Sequence, residues 1–158
     1  MRDLKAEIHI YQAEQKDLSK AAALFNQYRQ FYMREDDLNG AEEYIRERLN
    51  LGDSVMYLAD CNRGENLFTA GFLQLYPSFS SLSMSRLWIL NDLFVDSEYR
   101  GLGIGRKLLH QAKAHALQTG AMGLTLSTQL HNVTAQHLYE SAGYVLDEEF
   151  ANYYLDLS

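Results

Sequence analysis

Leu90-Asn-Asp-Leu-Phe-Val-Asp-Ser-Glu-Tyr-Arg-Gly-Leu-Gly-Ile-Gly-Arg-Lys-Leu-Leu109 is the stretch around which the chain is organised. An apolar, strand-like run from Leu87 to Val95 passes through a polar loop into three alternating glycines, Gly101, Gly103 and Gly105, and a helical pattern follows at once. Glycine carries no Cβ, so its backbone can come close to a ligand. The first amides of a helix lack partners inside it, and the helix dipole makes them attractive to anions. Arg100, Arg106 and Lys107 add positive charge at the same place. The pattern reads as a seat for a pyrophosphate.

Two phosphate loops are excluded by spacing. A Walker loop needs Gly-Lys-Ser/Thr after its spacer, whereas Arg106, Lys107 and Leu108 stand there. The dinucleotide fingerprint needs a third glycine where Arg106 or Leu108 stands. What remains is Arg-x-x-Gly-x-Gly, Arg100 to Gly105 with Leu102 between the first two glycines, preceded by Leu-x-x-Leu-x-Val.

Working outward, Glu7–Tyr11 is expected to be a first strand. A helix capped by Asp17 follows, with Leu18, Ala21, Ala22, Phe25, Tyr28 and Tyr32 at helical spacing. Asn39-x-x-Glu42 reads as a capping-box variant opening a second helix that ends at Gly52. Strands are expected from Ser54 to Asp60 and from Leu67 to about Tyr76, joined by a turn at Cys61–Asn66, with Pro77 and the serines after it as a loop. Beyond the glycines, Ile104, Leu108, Ala112 and Ala116 share one helix face, and Gly120 ends that helix. A strand at Gly123–Ser127 and a short helix capped by Asn132 come next, and closing strands are expected near Tyr144–Leu146 and Phe150–Leu157. This order makes a mixed α/β sheet of about seven strands with about four helices, in one domain spanning residues 1–158.

The chain has 158 residues and a net charge of −7, from 14 basic and 21 acidic side chains. That balance argues against non-specific nucleic-acid binding. No apolar run reaches membrane-spanning length and the N-terminus lacks a signal-peptide core, so no membrane partner and a cytoplasmic location are expected. Cys61 is the only cysteine, which leaves no internal disulfide. His110 and His115, five apart on one helix, have poor metal spacing and are expected to face solvent, so no metal is expected.

The central block, together with Asn132…Leu-Tyr139-Glu-Ser-Ala-Gly-Tyr144, resembles the GNAT superfamily of N-acetyltransferases, and the resemblance covers most of the chain. It implies direct attack of an amine on the thioester of acetyl-CoA. The glycine loop (Arg100, Gly101, Leu102, Gly103, Gly105, Arg106) would bind pyrophosphate, and the backbone of Phe94 and Val95 would pair with pantetheine. Asn132 matches the family's asparagine beside that arm, and it equally reads as a helix N-cap. Tyr139 matches the residue that protonates the departing thiolate, with a plain core aromatic as the alternative.

The nearest sub-pattern is that of the diamine (spermidine/spermine) N-acetyltransferases, which carry Glu-Asp-Phe-Phe-Val where this chain has Asn91-Asp92-Leu93-Phe94-Val95. The proposed base is thus Asn91, which cannot act as one. Asp92 is left to hold a cationic substrate or order water, or else to bond neighbouring backbone. Adjacent strand residues face opposite sides, so only one of Asn91 and Asp92 is expected to reach a given cleft. Tyr28, Tyr32 and Tyr44 lie on helices that wall the acceptor cleft in the family, and they read otherwise as core residues with a polar tip. The expected function is acetyl transfer to a primary amine, polyamine-like or a protein lysine. A non-catalytic acyl-CoA sensor is the alternative, and transfer to oxygen or of longer acyl chains stays open. Dimers are common in the family, which leaves a homodimer open by analogy.

Overall fold

The computed structural model describes residues 5–158, and the chain divides into a unit that runs through Ser127 and a smaller one, Thr128–Ser158. The larger unit is built on strands β1 (Glu7–Gln12), β2 (Val55–Arg63), β3 (Asn66–Ser80), β4 (Ser85–Val95) and β5 (Gly123–Thr125), paired in that order. β1 to β4 are antiparallel neighbours, and β5 joins β4 in parallel. Helices α1 (Leu18–Phe31), α2 (Leu38–Leu51) and α3 (Ile104–Gln118) belong to this unit. The smaller unit holds α4 (Val133–Ser141).

The helix ends follow their chemistry. Asp37, rather than Asn39, caps α2: its Oδ1 accepts from the Gly40 amide at 2.9 Å. Gly52 closes that helix at φ 62°, the left-handed region that favours glycine. One face of the sheet carries a core of Ala13, Ala21, Leu24, Ile45, Met56, Leu58, Phe72 and Phe94, drawn from α1, α2 and the strands. The opposite face receives α3 through Ile104 and Leu108. At Gly71 a Cβ would lie 2.9 Å from Phe94 O and 3.2 Å from Ile104 Cγ2, so glycine is what lets helix and strand approach. Cys61 is buried and free.

Three expectations are corrected here. Among the described residues the sheet has five strands, not about seven. Residues 144–158 form no strand, because a strand needs a pairing partner, and Asp147 and Asp156 fold their side chains onto the amides of Glu149, Phe150 and Ser158 instead. Pro77 does not end β3, which continues to Ser80 with Pro77 opposite Trp88. β2 begins at Val55 opposite Leu75, so β3 is paired on one side only beyond that point and tolerates a residue without an N–H.

The third correction concerns β4. Gln74 stands opposite Asp92 and Leu75 opposite Leu90, which leaves Asn91 as an extra residue in a β-bulge. One inserted residue reverses the faces of everything beyond it. Trp88 therefore packs on His115 of α3, ring centroids 4.8 Å apart, whereas Phe94 packs on Tyr28 of α1 at 6.0 Å. The bulge also brings the side chains of Asn91 and Asp92 together, against the expectation that only one could reach a given cleft: Asn91 Nδ2 donates to Asp92 Oδ1 at 3.1 Å.

Candidate active site

β4 ends at Val95, and Asp96 Oδ1 accepts from the Glu98 amide at 3.0 Å to start a short 3-10 turn, Ser97–Tyr99. The buried Tyr99 ring anchors that turn against Phe68 (5.6 Å) and under the Arg63 guanidinium (5.0 Å). Gly101 and Gly103 then take φ of 79° and 80°, conformations that cost other residues roughly 1–2 kcal/mol. No heavy atom lies within 4 Å of a Cβ built at either position, so the backbone rather than crowding requires glycine there. The first bond inside α3 runs from the Lys107 amide to Gly103 O at 3.1 Å. The amides of Ile104, Gly105 and Arg106 precede it and have no carbonyl behind them in the helix. An open loop leading into three such amides fits an anion.

The strand beside the loop has an open edge. The Asp96 amide donates to Ala70 O at 2.8 Å, so the peptide groups of Val95, one residue earlier, point away from β3. β5 pairs only with Leu87–Ile89 and does not extend to Val95. Arg100, expected beside the anion, turns its Nε to Val95 O at 3.1 Å and lays its guanidinium 5.4 Å from the Phe31 ring centroid. An anion seat thus adjoins a strand edge that can pair with an extended ligand. Both features fit the acetyl-CoA that the sequence implies.

On the α1–α2 face the bulge presents Asp92, which is buried. Burial raises its pKa above the usual carboxylate value, and hydrogen bonding from Tyr28 and Asn91 acts against that rise. Gln74, opposite it, donates from Nε2 to the Tyr76 hydroxyl at 2.6 Å, and Tyr76 meets the Tyr44 hydroxyl at 2.7 Å. Burial, the Tyr44 hydroxyl and the Asp92 charge all push the Tyr76 phenol well above its ordinary range. Tyr28 packs edge-on against Phe72 and Tyr32, with centroids 5.5 and 5.0 Å apart. Tyr28 and Asp92 are therefore brought together, and Tyr32 adjoins them through Tyr28.

Sequence reasoning missed Gln74 and Tyr76. The available signal was a lone polar side chain inside Phe72-Leu-Gln-Leu-Tyr76, at a position whose strand neighbours point inward. His115 was also misread. It is 9 % exposed, its Nδ1 lies 2.8 Å from the Tyr57 hydroxyl, and its pKa is lowered by burial and by the Arg86 charge. α3 turns that face onto β2 and β4 instead of toward solvent.

In the smaller unit Asn132 caps α4, its Oδ1 accepting from the Ala135 amide at 3.1 Å. Tyr139 meets Tyr144 edge-on at 5.9 Å, and the Tyr144 amide donates to Tyr139 O at 3.1 Å.

Residues 21–144 match the family model described as "Acetyltransferase (GNAT) family". A protein of Bacillus subtilis (strain 168), "Uncharacterized N-acetyltransferase YhfO", is 48 % identical over 150 residues, covering 95 % of this chain and 98 % of its own. The "Thialysine N-epsilon-acetyltransferase" of Bos taurus is 26 % identical over 143 residues, 86 % and 83 % of the two chains. A crystal structure of "a probable acetyltransferase" superposes with a TM-score of 0.88 at 42 % identity, over 95 % of this chain and 98 % of that one.

Proposed function

Since the chain belongs to the GNAT family of acetyltransferases, we propose that it transfers an acetyl group from acetyl-CoA to a primary amine, by direct attack of the amine on the thioester. The observation that carries this reading is the contiguity of the glycine loop, the first amides of α3 and the open edge of β4. In this reading the amides of Gly101, Gly103, Gly105 and Arg106 hold the pyrophosphate, and Leu102 and the Arg100 backbone complete the loop. Phe94 and Val95 pair with the pantetheine arm. Asn132 steadies that arm while capping α4, and Tyr139 protonates the departing thiolate, which a phenol can do because it is neutral at pH 7.

The acceptor side is the face of Asp92, Tyr28 and Tyr32. Its buried carboxylate among aromatic rings suits a cation, and a polyamine-like small molecule or a protein lysine fits that description. The bovine relative's name, which specifies the ε-nitrogen of thialysine, supports a small amine. Asn91 spends its amide on Asp92 and offers no base. That observation favours a second reading, a non-catalytic acyl-CoA sensor on the same fold.

Thiol release from acetyl-CoA with a panel of amines separates the two. Turnover with at least one primary amine is expected. Acetyl-CoA binding without turnover on any amine in the panel overturns the enzyme reading in favour of the sensor.

A further inference from the structure

Gln74 and Asp92 stand opposite each other on β3 and β4 and are only 1 % and 4 % exposed. Each has committed one end to a neighbour. Gln74 Nε2 donates to Tyr76, and Asp92 Oδ1 accepts from Asn91. The remaining atoms, Gln74 Oε1 and Asp92 Oδ2, are both buried acceptors, and neither accepts a hydrogen bond from the chain. Native proteins rarely leave such atoms unsatisfied, because each forfeits its hydration without return. The pair lacks hydrogens to share and a positive charge to balance Asp92. A primary ammonium supplies three N–H donors and one unit of charge from a single atom. The rings of Tyr28, Phe72 and Phe94 stand on the same face and favour a cation further.

We propose that Gln74 Oε1 and Asp92 Oδ2 together bind a primary ammonium group of the acceptor, and that this nitrogen is not the one acetylated. An amine held between a carboxylate and an amide oxygen is kept protonated, so it has no lone pair with which to attack a thioester. The acceptor class is therefore a molecule with at least two amines, one anchored and one free to react. Gln74 is the residue that sets this preference, because it is neutral and orients its oxygen through the Tyr76–Tyr44 pair. The Tyr28 hydroxyl, which also acts on the carboxylate, is the group an entering ammonium joins. The proposal rests on the acceptor-site reading above.

The test is calorimetric titration of the full chain, in the presence of CoA, with 1,4-diaminobutane and with its uncharged counterpart 1,4-butanediol. The wild type should bind the diamine at least 10-fold more tightly than the diol. Gln74→Leu and Asp92→Asn should each weaken the diamine 10- to 100-fold and change the diol less than threefold. Gln74→Glu keeps the shape, adds charge and does not depend on Gln74→Leu folding. It should tighten the diamine three- to tenfold at pH 8.

Equal affinities for the diamine and the diol in the wild type, no diamine binding, or a diamine affinity indifferent to both Gln74 variants overturns the proposal. Indifference would mean that a neutral Asp92 carboxyl donates to Gln74 and closes the pair by itself. The readout is binding, so it separates from the functional reading. Diamine binding without acetyl transfer would sink the enzyme and spare the anchor. Transfer with equal preference for mono- and diamines would do the reverse.

Discussion

Trp88 and Phe94 occupy same-parity positions of one strand yet pack on opposite faces of the sheet, Trp88 against His115 of α3 and Phe94 against Tyr28 of α1. The reversal comes from the single unpaired residue between them, Asn91. Asp92 reaches the α1 face for the same reason. The position of a candidate site residue therefore depends on the length of β4 as much as on its composition.

Insertion of an alanine after Asn91 should accordingly be far more damaging than replacement of Asn91. A second extra residue shifts the alternation once more and drives either Trp88 or Phe94 off its packing partner, at a cost of about 3–5 kcal/mol, the scale of losing a large buried aromatic. Asn91→Ala keeps the bulge and should change stability by less than about 1 kcal/mol. Urea unfolding of the two variants beside the wild type checks the contrast, and equal midpoints would remove the bulge from the account.

Gly103→Val should weaken acetyl-CoA binding at least 10-fold while the chain stays folded. At φ 80° a β-branched residue is strained, but nothing within 4 Å obstructs its Cβ, so the loop adjusts locally instead of unfolding the domain. Calorimetry with acetyl-CoA alongside a thermal melt tests this. Unchanged affinity in a folded variant would remove the pyrophosphate assignment.

Tyr139→Phe should lower kcat by about 10- to 1000-fold, in keeping with loss of a general acid, and leave acetyl-CoA affinity within about threefold. The measurement is steady-state kinetics with the best amine of the panel. An intact kcat would make Tyr139 a packing residue and leave protonation of the thiolate to water.

His115 should make the fold acid-sensitive. Burial and Arg86 push its pKa below the ordinary value of about 6.5, so between those two pH values the unfolded chain binds more protons than the folded one. Stability is then full above about pH 6.5 and is lost as pH falls from there toward the folded pKa, with a slope of at most about 1.4 kcal/mol per pH unit. The groups facing the ring are the Tyr57 hydroxyl, the Trp88 indole and the Arg86 guanidinium. Chemical denaturation from pH 5 to 8 in wild type and His115→Gln measures it, and parallel curves would contradict it.

Much of this was readable from residues alone. The glycines of the loop, the helix they open and the Asn132 cap follow from backbone chemistry that acts within a few residues. The bulge at Asn91 was not readable, since it arises from how β3 and β4 register over their whole length and no local preference marks it. Gln74 and His115 were missed for a related reason. A polar side chain on an amphipathic element looks solvent-facing until the element that covers it is known. The closing strands were over-read, because alternation in Phe150–Leu157 describes a face, whereas a strand also needs an edge to pair with.

The open edge of β4 also has an isotopic signature. Peptide groups of Leu93 and Val95 point away from β3, and those of Asp92 and Phe94 point toward it. In deuterated water the chain should therefore exchange its hydrogens in a two-residue rhythm along one strand, fast at Leu93 and Val95 and slow at Asp92 and Phe94. A ligand that adds itself as a strand would silence the fast pair and leave the slow pair unchanged. The strand would then report, amide by amide, when the acyl donor is seated.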